Sequence, residues 1–322
     1  MERIIFGDNQ FFAVNHLSDE KSREQSIRFN NIAAIINTID HARAAGVETF
    51  MCTTHDRISL LCDYVRVHPE KYGEFKIFPC MPYAHKYANA VTELGIVGTL
   101  KEFVPGNFMG SIFKGGLAML SKDYFSIMEL LVDAEMKMFA GLKTPVIFLQ
   151  NVVTDLLLGL GMIDVLIHFH KYVEKKYHAE AGFITMNLPK LASQLLDAGI
   201  ENPIICASIN KIGFRMSGGR EAYEECLRTL KIRVIAMQVL AAGAIPPAEA
   251  VEYVCNLPNV CSILFGASSK TNIRETTTLI NGFDLANAEH ALRRAGSYNK
   301  SSQVITSSLP SAFASGAQLN GV

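Results

Sequence analysis

The stretch VCSILFGASSKTNIRETTTLI, residues 260 to 280, decides how the rest of the chain is read. An apolar run stops at Gly266, two hydroxyl residues follow, and a helix-like pattern starts at once. Two expectations follow from that order of strand, glycine and helix start. Ser268 or Ser269 is placed to cap the helix, because a hydroxyl oxygen accepts from the unpaired N–H groups of a first turn. The same N–H groups and the positive end of the helix dipole also suit an anion such as a phosphate. The rest of the chain shows whether the junction is one of a set.

Seven similar runs precede it: RIIFG (3 to 7), VETFMCT (47 to 53), FKIFPCM (75 to 81), PVIFLQ (145 to 150), GFITM (182 to 186), PIICASI (203 to 209) and RVIAMQV (233 to 239). Each is almost continuously apolar rather than alternating, which suits strands covered on both faces of a parallel sheet. The segments between them read as helices. NNIAAIINTIDHARAAG sets Ile32, Ile35, Ile36 and Ile39 on one face and stops at Gly46. NLPKLASQLLDAG opens with Asn187 as a cap and Pro189 in the first turn, and stops at Gly199. Strands and helices alternating eightfold predict a (β/α)8 TIM barrel. An open doubly wound sheet would carry a GxGxxG turn after its first strand, whereas this chain has Gly7-Asp8-Asn9-Gln10 there. The expected organisation is one barrel domain over residues 1 to 296, with an insertion at about 95 to 125 between strands three and four, and a Ser/Ala/Gly-rich tail from 297 to 322. The Met-rich run SIMELLVDAEMKMFAGL after the insertion reads as core-filling helix.

Thirty basic against 31 acidic residues, with no block of like charge, give no field for nucleic acid or an anionic membrane surface. The start MERIIFGDNQ lacks an apolar signal core, and the most hydrophobic stretch is interrupted by Asp164. The seven cysteines form no CxxC pair and read as reduced. The expected setting is the cytoplasm and the expected partner a small molecule, anionic or polyol, with room for a homo-oligomer.

In such a barrel the functional groups follow the C-terminal ends of the strands. Collected in order, these are Asp8, Asn9, Gln10 and His16; His55, Asp56 and Arg57; Tyr83, His85 and Lys86; Gln150 and Asn151; Asn187; and Asn210, Lys211 and Arg215. His55 beside Asp56 can form an oriented base, or Asp56 can cap a helix; Tyr83, His85 and Lys86 supply a phenol, an imidazole and an amine for proton transfer. His16, His55, His85 and Asp8 match no fixed metal-ligand spacing, so no metal is assigned. Gly243 in the loop after strand seven and Gly266 after strand eight permit close backbone approach to an anion held by Ser268 and Ser269, with Asn272 in the following turn.

From about residue 181 to 280 the chain resembles the aldo-keto reductases, on three motifs: TMN after strand five, AMQVLAAG at strand seven and FGASSKTNI at strand eight. The resemblance implies NADP as cofactor, with the strand-eight motif on the adenosine phosphate and Asn187 on the nicotinamide. It also implies a tetrad of Asp, Tyr, Lys and His, which the first half lacks. Met51 stands where the Asp belongs, His55 near the Tyr, Cys80 and Met81 where the Lys belongs and Gln150 where the His belongs, while Met237 replaces the aromatic that stacks on the nicotinamide. Three functional classes remain open. They are an NAD(P)-linked oxidoreductase with a rebuilt proton relay through His55, Tyr83 or Lys86; a cofactor-free or metal-assisted lyase, aldolase or isomerase acting on a phosphorylated or sugar-like substrate; and a non-catalytic binding subunit.

Overall fold

The computed structural model describes residues 1–12, 19–83 and 124–283. Eight parallel strands close into a barrel: β1 (Ile4–Phe6), β2 (Thr49–Thr53), β3 (Lys76–Met81), β4 (Val146–Leu149), β5 (Glu180–Thr185), β6 (Ile204–Ser208), β7 (Arg233–Met237) and β8 (Val260–Phe265). Each pairs with the next in sequence, and Ile5 of β1 lies opposite Leu264 of β8 to complete the ring. Seven fall within the apolar runs, because strands covered by helices outside and by one another inside have no solvent face to mark with polar residues, and β5 starts two residues before its run, at Glu180. The chain divides into two compact units, residues 1–280 and 281–322. Of the second, only residues 281–283 are described, so the expected tail and nearly all of the expected insertion lie outside the described residues.

The barrel interior is packed rather than hollow. Ile5, Met51, Phe78, Val146, Phe148, Ile184, Ile204, Cys206 and Ile235 form one buried cluster, with Met237 and Leu264 against it. Gly182 makes the central layer fit: a Cβ there would come within 2.3 Å of the Phe148 ring, so the missing side chain is the space that the ring occupies. At the N-terminal end, Glu2 closes the barrel: its carboxylate pairs with Lys76 and accepts from Thr49, and its carbonyl accepts from Ser262. The other end is left to the loops.

Helix starts agree with the sequence in two places and correct it in a third. Asn187 caps the helix Leu188–Asp197, and Ser269 Oγ accepts from the Asn272 amide at 3.1 Å, as a cap does. Ahead of the helix Asp56–Arg66, however, the cap is His55 and not Asp56: His55 Nδ1 accepts from the Arg57 amide at 3.1 Å. Asp56 is the first helical residue and is exposed, where its charge favours the positive end of the dipole. Among the described residues, no helix is long and apolar enough to cross a membrane.

Candidate active site

A cavity of about 610 Å³ opens at the C-terminal ends of the strands. Its floor is the uppermost interior layer of the barrel, Met51, Cys80, Ile184, Met237 and Leu264. Phe12, Phe214, Val239, Leu240 and Phe265 carry the apolar surface up the walls, and Asp8, Gln10, Thr53, Tyr83, Gln150 and Arg215 are the main polar groups set into it. A mostly apolar concavity with a few converging polar groups is the form of a small-molecule site.

Asp8 is the most constrained of these groups. It follows β1, yet its side chain crosses to the end of β2, where Oδ2 accepts from the Thr53 amide at 2.7 Å and the Thr53 hydroxyl at 2.8 Å. The residue is 7% exposed, and burial holds its carboxyl above the usual carboxylate range despite the two bonds to Thr53. Tyr83, the second residue beyond β3, lines the same cavity, and its phenol is pushed up by burial and then by the Asp8 charge. A carboxyl and a phenol from two different strand ends therefore share one partly dry site. In sequence they are far apart, and no motif links them.

The remaining sequence candidates divide by place. Asn9, Gln10, Gln150, Asn151, Arg215, Gly243 and Gly266 line the cavity. Nine others are not among its lining residues: Ser268, Ser269 and Asn272 at the strand-eight junction, and six that lie elsewhere. His55 stacks on Phe12 with ring centroids 4.2 Å apart, its ring 5.9 Å from that of Tyr83, while its Nδ1 is committed to capping. Arg57 donates to the carbonyls of Phe11 and Phe29. Asn210 braces its own loop through Phe214, Lys211 pairs with Glu249, and Asn187 is a cap. Asp56, the sixth, is exposed on its helix. His16, His85 and Lys86 lie outside the described residues.

The strand-eight junction shows one feature the sequence did not suggest. A Cβ at Gly266 would meet Gln10 Oε1 at 2.2 Å, so the space beside this glycine is filled by the chain itself. Gln10 Nε2 donates to the Gly7 carbonyl at 2.7 Å, and its Oε1 is buried with no donor among the described residues. Ser268 and Ser269 stand beyond this point at the start of a helix that runs from residue 270, with Lys270 and Arg274 exposed on its first turns. Among the described residues no cluster of three metal-ligating side chains occurs.

Solved structures share this architecture. A Pseudomonas aeruginosa protein assigned as an aldo-keto reductase superposes with a TM-score of 0.56 at 12% identity, over 88% of this chain and 91% of that one. A second structure of the same assignment from that organism gives 0.54, at 12% identity over 88% and 90%. A protein assigned as a 2,5-diketo-D-gluconic acid reductase B gives 0.50, at 10% identity over 86% and 81%. The shared fold is the closed eight-stranded parallel (β/α)8 barrel. No protein-family profile and no curated protein matches the chain in sequence. Met51, the position at which the sequence resemblance leads one to expect a carboxylate, lies within β2, and Asp8 brings a carboxylate to the end of the same strand from β1.

Proposed function

We propose that this chain is an NADP-linked oxidoreductase of aldo-keto reductase-like ancestry, reducing a small carbonyl compound with a rebuilt proton relay. The observation that carries the reading is the Asp8 and Tyr83 pair in one cavity, delivered by the ends of β1 and β3. Burial and the neighbouring carboxyl keep the Tyr83 phenol protonated through the neutral range, so it can donate to the carbonyl oxygen as that oxygen gains charge. Asp8, fixed by Thr53, shares the cavity with the phenol and, once it has taken a proton from solvent, would pass that proton to the phenolate. The cofactor, when bound, supplies the hydride. Gly243 on the rim, the Ser269-capped helix start with Asn272, and the exposed Lys270 and Arg274 suit a phosphorylated dinucleotide in charge and in backbone approach. Ser268, Ser269, Gly266 and Asn187 would help hold it, and Met237 would offer it the apolar surface of the cavity floor. The apolar walls exclude water from the transfer.

A second reading, proton abstraction beside a carbonyl without a cofactor, is favoured by Gln10, which occupies the space beside Gly266 where the dinucleotide would approach the backbone. Thermal-shift titration separates the two, since a ligand of the folded state raises Tm by mass action. A saturable rise with NADPH that is larger than with NADH supports the oxidoreductase. No rise with either, together with a rise from sugar phosphates, supports the cofactor-free enzyme.

A further inference from the structure

Glu135 is a buried carboxylate that no sequence motif singles out, and its oxygens accept from the backbone of Tyr83, a residue that lines the cavity. It comes from the last turn of the helix Tyr124–Met136 and is 3% exposed. Its Oε2 accepts from the Thr54 hydroxyl at 2.5 Å, and both oxygens accept from the Tyr83 amide, at 3.1 and 3.2 Å. Thr54 is the residue just beyond β2 and Tyr83 lies just beyond β3, so one side chain ties two strand ends together. The helix that carries it is itself fixed. Glu129 bonds His168 at 2.8 Å, and Asp133 accepts from the hydroxyls of Tyr172 and Tyr177 at 2.7 and 2.6 Å and pairs with Lys176, all on the helix Ile163–Tyr177. An apolar side chain of the same size would fill this position without the desolvation cost of a carboxylate. Among the described residues, the carboxylate holds Thr54 and Tyr83.

We propose that Glu135 is a positioning residue for proton transfer, holding the Tyr83 backbone so that the phenol stays in the cavity it shares with Asp8. The inference rests on the reading of Tyr83 as proton donor. Glu135 acts through Tyr83 and meets no reacting atom, so its loss should fall on kcat rather than on binding. Displacing a reacting group by about 1 Å can cost on the order of a hundredfold in rate.

Glu135→Leu removes the acceptors, while Glu135→Gln keeps an amide oxygen where Oε2 accepts from both partners. With NADPH and para-nitrobenzaldehyde, E135L should lower kcat by about 100-fold with KM nearly unchanged, and E135Q should recover most of it. In a Tyr83→Phe background E135L should cost nothing further, because the two changes remove the same function. Losses that multiply in the double variant, or an E135L kcat equal to wild type, would overturn the proposal. If E135L does not fold, Thr54→Val carries the same cycle by loosening the carboxylate, with a smaller loss of about threefold expected. No NADPH-dependent turnover in the wild type would instead sink the functional reading. The hold on Tyr83 is then decided without substrate, by tyrosinate absorbance of each protein minus that of its Y83F counterpart. Among the described groups, the Asp8 charge acts on the phenol and the His55 ring lies 5.9 Å from the Tyr83 ring. E135L should let the Tyr83 titration fall toward that of free tyrosine while E135Q leaves it high; an unmoved titration in E135L overturns the proposal.

Discussion

Asp8 accepts two hydrogen bonds on the same oxygen, Oδ2, and burial still outweighs them, leaving its carboxyl easier to protonate than in the unfolded chain. A raised carboxyl in the folded state favours folding below the ordinary carboxylate range, and that contribution is lost as pH rises through the raised value. Above it, the charge of Asp8 costs stability. Asp8→Asn keeps an oxygen for both Thr53 bonds and removes the charge, so at neutral pH its Tm should equal or exceed that of wild type while turnover falls by about 100-fold or more. Melting curves of both proteins across the acid to neutral range should diverge as pH rises. The sequence offers Asp8 and Tyr83 only as two polar residues among many, because their meeting depends on a side chain crossing from one strand to its neighbour, 45 residues away in the Asp8 to Thr53 bond. Glu135 is harder still to find. A single acid in a Met-rich helix has no pattern around it, and its partners are loop residues of two other elements.

At the scale of elements, the strands and most helix ends are legible because they depend on near neighbours in the chain: continuous apolar runs, a capping side chain, a glycine stop. The His55 cap is the exception. An imidazole Nδ1 can take the place of the expected carboxylate, and the helix starts where that nitrogen finds the Arg57 amide. Gly182 shows the opposite case, a residue whose role appears only in the closed barrel. In sequence it opens a strand, and in the fold it yields its side-chain space to Phe148 on β4. Gly182→Ala should therefore lower stability by about 1 to 3 kcal/mol through overpacking. Chemical denaturation measures this, and adding Phe148→Leu should return part of the loss. Equal stabilities of G182A and wild type would mean that the layer has room to spare.

At the scale of the whole molecule, the alternation of strands and helices makes the barrel readable, and the barrel rule locates the functional end before any side chain is placed. What it does not give is the composition of the mouth. The floor of Met51, Cys80, Ile184, Met237 and Leu264 depends on the register of five strands at once, and the polar groups that reach it are sorted by packing from those that face outward, as Lys211 does toward Glu249. The fold is shared with aldo-keto reductases at 12% identity or less, and Asp8 and Tyr83 reach the mouth from the segments that follow β1 and β3. The most direct test is steady-state consumption of NADPH with an aldehyde substrate by wild type and Tyr83→Phe. The expected result is turnover by wild type and a loss of about 100-fold in kcat in the variant, with NADPH affinity unchanged. Equal rates in the two proteins would contradict the assignment of Tyr83 as the proton donor.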